Sequence, residues 1–160
     1  MPLYSDAREF FEAVAEANRD AERVRSQLDA LEQRALGMGG GGFGPRVRST
    51  PAHDRMGAAV AALVDQESTL TKRLEDDYAL LNQAHALLYG TENDSGLWSL
   101  VGWRADALAL HYVNGLKWSD VGVVLGYTEQ HVWREAQVAL DTCDGWGFFN
   151  VAHGMGAAQN

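Results

Sequence analysis

The chain has 160 residues, 46% of them hydrophobic, and a net charge of −9. That length bounds it to one domain, or one small domain with an extension, and its apolar content is enough for a buried core. The acidity argues against non-specific adhesion to nucleic acid or to an anionic membrane.

A single cysteine, Cys143, excludes an internal disulfide framework and suits a reducing cytosol. The first residues, MPLYSDAREFFEAV, show no basic segment followed by an apolar core, so no secretory signal is expected. The longest apolar run, residues 58–64, is far short of the ~20 residues that a membrane span needs. The expectation is a soluble, cytoplasmic protein with no membrane partner. All five tryptophans follow residue 97, whereas both long Ala/Glu/Arg-rich segments precede residue 91. This split predicts an extended helical part, then a compact aromatic-cored part.

Ser5 or Asp6 can cap a first helix running to about Leu36. Within it Phe10, Val14, Ala17, Ala21, Val24, Leu28, Leu31 and Ala35 recur at alternating spacings of four and three. Such a heptad argues for a coiled coil, and a helix about 45 Å long at ~1.5 Å per residue needs a partner. Glu12, Glu16, Arg19, Arg23, Arg25 and Glu32 read as its solvated face.

Residues 37–50, GMGGGGFGPRVRST, cannot continue a helix and read as a glycine-rich tip. Arg46 and Arg48 read there as solvated charges. Thr50-Pro51 then opens a second helix to about Tyr89. Met56, Val60, Leu63, Leu70, Leu74, Leu81 and Leu88 form its heptad seam, with Glu67 the polar member. Two heptad helices joined by a short glycine loop should fold back as an antiparallel hairpin. A tip near residues 43–44 would set Glu67 opposite residue 20, within reach of Arg19 or Arg23.

Residues 90–96, GTENDSG, read as a loop. Leu97, Leu100, Val101, Leu108 and Tyr112 then build a helix, framed by Trp98 and Trp103, that stops at Asn114-Gly115. Val121, Val124 and Leu125, at i, i+3 and i+4, fit a short helix broken by Gly126. Thr128 caps a third helix whose inward face is Val132, Ala136, Ala139 and Leu140. Short helix, glycine turn and capped helix make a helix-turn-helix, whose second helix usually enters the DNA major groove. Trp146, Phe148 and Phe149 are too apolar for a free tail and are expected to dock on it. Residues 151–160 are expected to be a disordered tail. The whole is read as all-α: a helical hairpin over 1–90 and a helix-turn-helix domain over 91–150.

The third helix would expose Glu129, Gln130, His131, Trp133, Arg134 and Gln137 beside its cap Thr128, with Lys117 at the start of the short helix. Gln pairs bidentately with adenine, Arg with guanine, and Glu accepts from cytosine. Trp133 can serve this face or pack on the aromatic tail. Residues 97–140 carry three strong bases (Arg104, Lys117, Arg134) against four acids (Asp106, Asp120, Glu129, Glu135), a poor electrostatic footprint for unaided DNA binding.

Catalysis finds little support. His53, His85, His111, His131 and His153 have no metal-ligand spacing, so no metal or cofactor is expected. Cys143 has no base within several positions, and Asp76-Asp77 and Asp141/Asp144 read as solvated acids. The glycines at 39–42 lack the lysine of a phosphate loop.

The run from Tyr112 to Gly115, then Ser119-Asp120-Val121-Gly122, Leu125-Gly126 and Thr128, resembles the C-terminal DNA-binding region of sigma factors. Gly122 stands where that family usually has Ala. Together with the Leu88-Tyr89-Gly90 junction, the chain resembles prophage-encoded regulators such as the RinA- and ArpU-like activators of late phage genes. The resemblance implies transcriptional control of phage morphogenesis or packaging genes, with double-stranded DNA as the expected partner and RNA polymerase and further copies of the chain as candidate ones. Alternatives are a small terminase subunit for DNA packaging, assembled as a ring, and a coiled-coil interaction adaptor.

Overall fold

The computed structural model describes residues 4–39, 50–92 and 94–154. The architecture is all-α: α1 (Ala7–Gly39), α2 (Thr50–Tyr89), α3 (Leu97–Val101), α4 (Trp103–Leu108) continuing into a π turn (Ala109–Val113), α5 (Trp118–Leu125), α6 (Glu129–Trp146) and α7 (Phe148–His153). No strand occurs among the described residues. Helix α1 continues to Gly39, so helix persists into the segment expected to be the glycine tip. Arg46 and Arg48, and the side chain of Met56, lie outside the described residues.

Two units each cohere by themselves, one made of residues up to Arg19 together with Asp77 onward, the other of Asp20–Asp76. The division does not fall at residue 90. The first turns of α1 and the last turns of α2 share a core with α3–α7: Phe10, Phe11, Val14, Ala84, Leu87 and Leu88 cluster with Leu97, Leu108, Tyr112, Leu140, Cys143 and Val151. Phe11, Leu88, Leu97, Leu108 and Leu140 are fully buried. Each such side chain stabilises by roughly 1.5–3 kcal/mol, far more than the ~0–1 kcal/mol of a surface ion pair, so this core holds the unit together.

Phe10 and Phe11 are both buried because α1 has a neighbour on each side. The Phe10 ring meets Phe148 of α7 at 5.3 Å, and Phe11 meets Tyr112 of the π turn at 5.6 Å. The cap of α1 is Asp6, whose Oδ1 accepts from the Glu9 amide at 2.8 Å. Glu9 in turn accepts from the Ser5 amide and hydroxyl at 2.7 and 2.6 Å, and these bonds hold its carboxyl below the usual range. A further first-turn amide, Ala7, donates to Asp144 Oδ1 at 2.7 Å. Asp144, exposed as expected, is therefore also a tertiary cap on α1.

Of the aromatic tail residues expected to dock, Phe148 packs on the core that α6 shares, whereas Trp146 and Phe149 are exposed. Phe148 seats on Phe10, and the loop before α3 grips α7: Gly96 N donates to Val151 O at 2.6 Å and Thr91 N to Ala152 O at 3.2 Å. Val151 is buried, so residues 151–153 are ordered helix, contrary to the expected disordered tail. That grip needs glycine, because a Cβ on Gly96 (φ 88°) would sit 2.3 Å from Gly90 N.

In the other unit, Ala21, Val24 and Leu70 are buried, and Arg73 of α2 donates from Nε to Asp20 Oδ2 at 2.7 Å. A second bond joins Arg73 Nη2 to Asp20 Oδ1. The helices thus pair as a hairpin, with residue 20 opposite 73 and not opposite Glu67. Arg73 is exposed, so the pair marks that register and adds little stability.

Candidate nucleic-acid interface

The helix-turn-helix is built from three features of the sequence. Trp118, Val121 and Leu125 face inward from α5 against Ala107 and Val132. Val124, expected inward, is exposed with Val123, because the inward stripe runs through 118, 121, 122 and 125. Gly126 ends α5 in the left-handed conformation (φ 80°, ψ 28°), and its amide donates to Gly122 O at 2.9 Å. Thr128 then caps α6, its Oγ1 accepting from the His131 amide at 3.2 Å. Val132, Ala136, Ala139 and Leu140 are all buried, as the spacing predicts.

Gly122 packs directly against the turn that joins the two helices. A Cβ there would stand 2.7 Å from Tyr127 O and 3.2 Å from Glu129 N. The alanine usual in the sigma-factor pattern would not fit without moving this turn.

Upstream, the expected single helix is broken at Gly102 (φ 62°) into α3 and α4. Trp98 and Leu100 are exposed, so Trp98 does not frame the core. Trp103 does frame it, stacked on Tyr127 at 4.5 Å. The π turn was not foreseen. The Asn114 amide reaches back to Ala109 O at 2.9 Å, widening the helix so that His111 stacks on Trp118 at 3.9 Å. His111 Nδ1 donates to Leu116 O at 2.7 Å, since a carbonyl can only accept. Burial holds the His111 pKa below its ordinary value, outweighing that bond.

Of the eight residues expected at the reading face, Glu129, Gln130, Trp133 and Arg134 are exposed along the start of α6 beside the cap Thr128. Trp133 joins Trp118, Thr128, Glu129 and Gln130 around an open cleft of about 440 Å³, and so serves this face rather than the aromatic tail. His131 is exposed, but its ring leans on Tyr127 at 5.1 Å and Trp103 at 5.9 Å. Gln137 is half-buried and its Oε1 accepts from Arg8 of α1. Lys117 is exposed at the start of α5, next in sequence to Trp118 of that cleft.

The electrostatics are lean. Arg104 is paired with Glu135. Among the described residues neither Lys117 nor Arg134 makes an ion pair, and Arg8 adds a third cation at Gln137. Sequence reasoning missed Arg8 because no local signal links positions 129 residues apart.

Elsewhere the chemistry is quiet. Cys143 is fully buried, and burial, with Asp144 adding, pushes its thiol up to about 12. Tyr89 donates to Asp106 Oδ1 at 2.8 Å, tying α2 to α4; burial and this bond push it up to about 12. Among the described residues no three His, Cys, Asp or Glu side chains gather as a metal site. No described helix is long and apolar enough to cross a membrane. No protein-family model, curated protein or solved structure matches the chain.

Proposed function

We propose that this chain is a DNA-binding transcriptional regulator of the kind its sigma-like motif resembles, a prophage late-gene activator that contacts double-stranded DNA with the start of α6. The observation that carries this reading is the turn itself. Gly122, Gly126 and the Thr128 cap lock α5 against α6, and this leaves Gln130, Trp133 and Arg134 outward on a rigid helix. Gln130 suits adenine, Arg134 guanine, and the Trp133 ring offers apolar contact for a thymine methyl. Because Lys117, Arg134 and Arg8 are the cations near this face among the described residues, affinity for DNA alone is expected to be weak. A simultaneous contact with RNA polymerase multiplies it.

The test is a titration of promoter DNA at two salt concentrations, with and without RNA polymerase. Three cations at ~0.9 per phosphate give a log–log salt slope no steeper than about −3 per chain. Arg134→Ala and Gln130→Ala should each cost about 1–3 kcal/mol at one base position only. Absence of binding in every arm counts against DNA reading.

A second reading is favoured by one specific observation. Val123 is 82% exposed and Val124 is also exposed, both on α5. Such residues suit a protein surface better than a phosphate backbone, as in an interaction adaptor or a small terminase subunit.

A further inference from the structure

We propose that the Asp20–Asp76 arm is a self-association surface, and that two copies of this chain pair through it as a four-helix bundle. The arm by itself buries too little. Its fully buried apolar residues among those described are Ala21, Val24 and Leu70. Two isolated helices with so small a seam are marginal in water. Leu36, Val60 and Val64 are meanwhile 64%, 52% and 57% exposed. Residues 57–64, GAAVAALV, carry no charge at all. A helix apolar on every side is a buried helix, and one partner in a hairpin covers only one side of it.

The charge distribution selects a second copy as the occupant. Residues 20–76 hold nine acids and eight bases, a net of −1, with the signs interspersed. The remainder holds thirteen acids and five bases, a net of −8. The arm is thus the part of the molecule where two copies meet with little repulsion. Its area also suffices. About 18 residues at ~1.5 Å each, two helix diameters wide, give a face of roughly 500 Å². Two such faces bury about 1,000 Å², the lower bound for a specific interface. The alanines flanking Val60 let the helices approach closely.

The experiment is the solution mass of the full chain by light scattering and sedimentation, for the wild type and for Val60→Glu/Val64→Glu. Both valines are exposed in the single chain, and glutamate is the better helix former, so the variant should keep its helicity by circular dichroism. The wild type should run at twice 17.5 kDa. The variant should associate about a hundredfold or more weakly, because its charges would be desolvated in the bundle, and should run as a single chain. A monomeric wild type, or an oligomer that the double variant leaves intact, overturns the proposal.

Discussion

Replacing Gly122 by Ala tests this close contact in the helix-turn-helix. The added Cβ would meet Tyr127 O at 2.7 Å and Glu129 N at 3.2 Å, with Thr128 C at 3.3 Å. All three are backbone atoms of the turn, and none can rotate away. The Gly126 and Tyr127 amides also bond to Gly122 O, each at 2.9 Å, so the turn and the end of α5 must move together. Overpacking of this kind costs about 1–3 kcal/mol, whereas Ala over Gly in a helix returns about 1 kcal/mol. The net expectation is a loss of up to about 2 kcal/mol. Gly145 supplies the control: it is helical, and a Cβ there meets nothing within 4 Å. Gly145→Ala should therefore stabilise by about 0.5–1 kcal/mol. In a chain of this size 1 kcal/mol moves the melting temperature by about 2–4 °C. Thermal melts followed by circular dichroism should show the two variants shifting in opposite directions. If Gly122→Ala stabilises as Gly145→Ala does, the close contact is not there.

Leu70 is buried in the arm seam, so Leu70→Ala should cost about 2–5 kcal/mol by urea unfolding, and a change under half a kcal/mol would place it at the surface. His111 has a depressed folded-state pKa, so the unfolded chain takes up its proton first. Stability should therefore be full above the ordinary value of about 6.5 and fall as pH drops below it. His111→Gln should flatten that dependence in melts between pH 7.5 and 5.5, and an unchanged pH profile would remove His111 as its source.

The sequence made the hairpin and the helix-turn-helix legible because both are periodic. The α6 stripe of Val132, Ala136, Ala139 and Leu140 and the stops at Gly115 and Gly126 are local signals with local causes. What escaped was tertiary. Phe11 lies off the heptad seam, yet it is fully buried because α1 has a second neighbour in Tyr112, which no spacing within α1 could reveal. The capping role of exposed Asp144 has no local signal, because its partner, the Ala7 amide, is 137 residues away. The hairpin register differs from the expected one because heptads fix which face is apolar and leave open which residues face each other, as the Asp20–Arg73 pair shows. At the candidate site, Gln137 was assigned to DNA from its helical phase alone. Its phase places it on the face, and Arg8 occupies it.

Charge segregation bears on the choice among functions more heavily than the motif does. Five of the thirteen strong bases lie in the unit that carries α6, against thirteen acids, and one of those five, Arg104, is held by Glu135. A domain of net −8 repels the phosphate backbone at long range, so encounter with DNA is slowed before any base is read. Screening with salt would weaken that repulsion and the few local attractions together, which flattens the salt dependence below what three cations alone would give. A reader with such a surface gains little from wandering along DNA by itself. Its contacts become effective once another molecule holds it at the site, because the second contact is then intramolecular. Paired arms would add a second α6 to the same complex. For the regulator proposed above, the acidic balance therefore favours a site reached by recruitment over one found unaided.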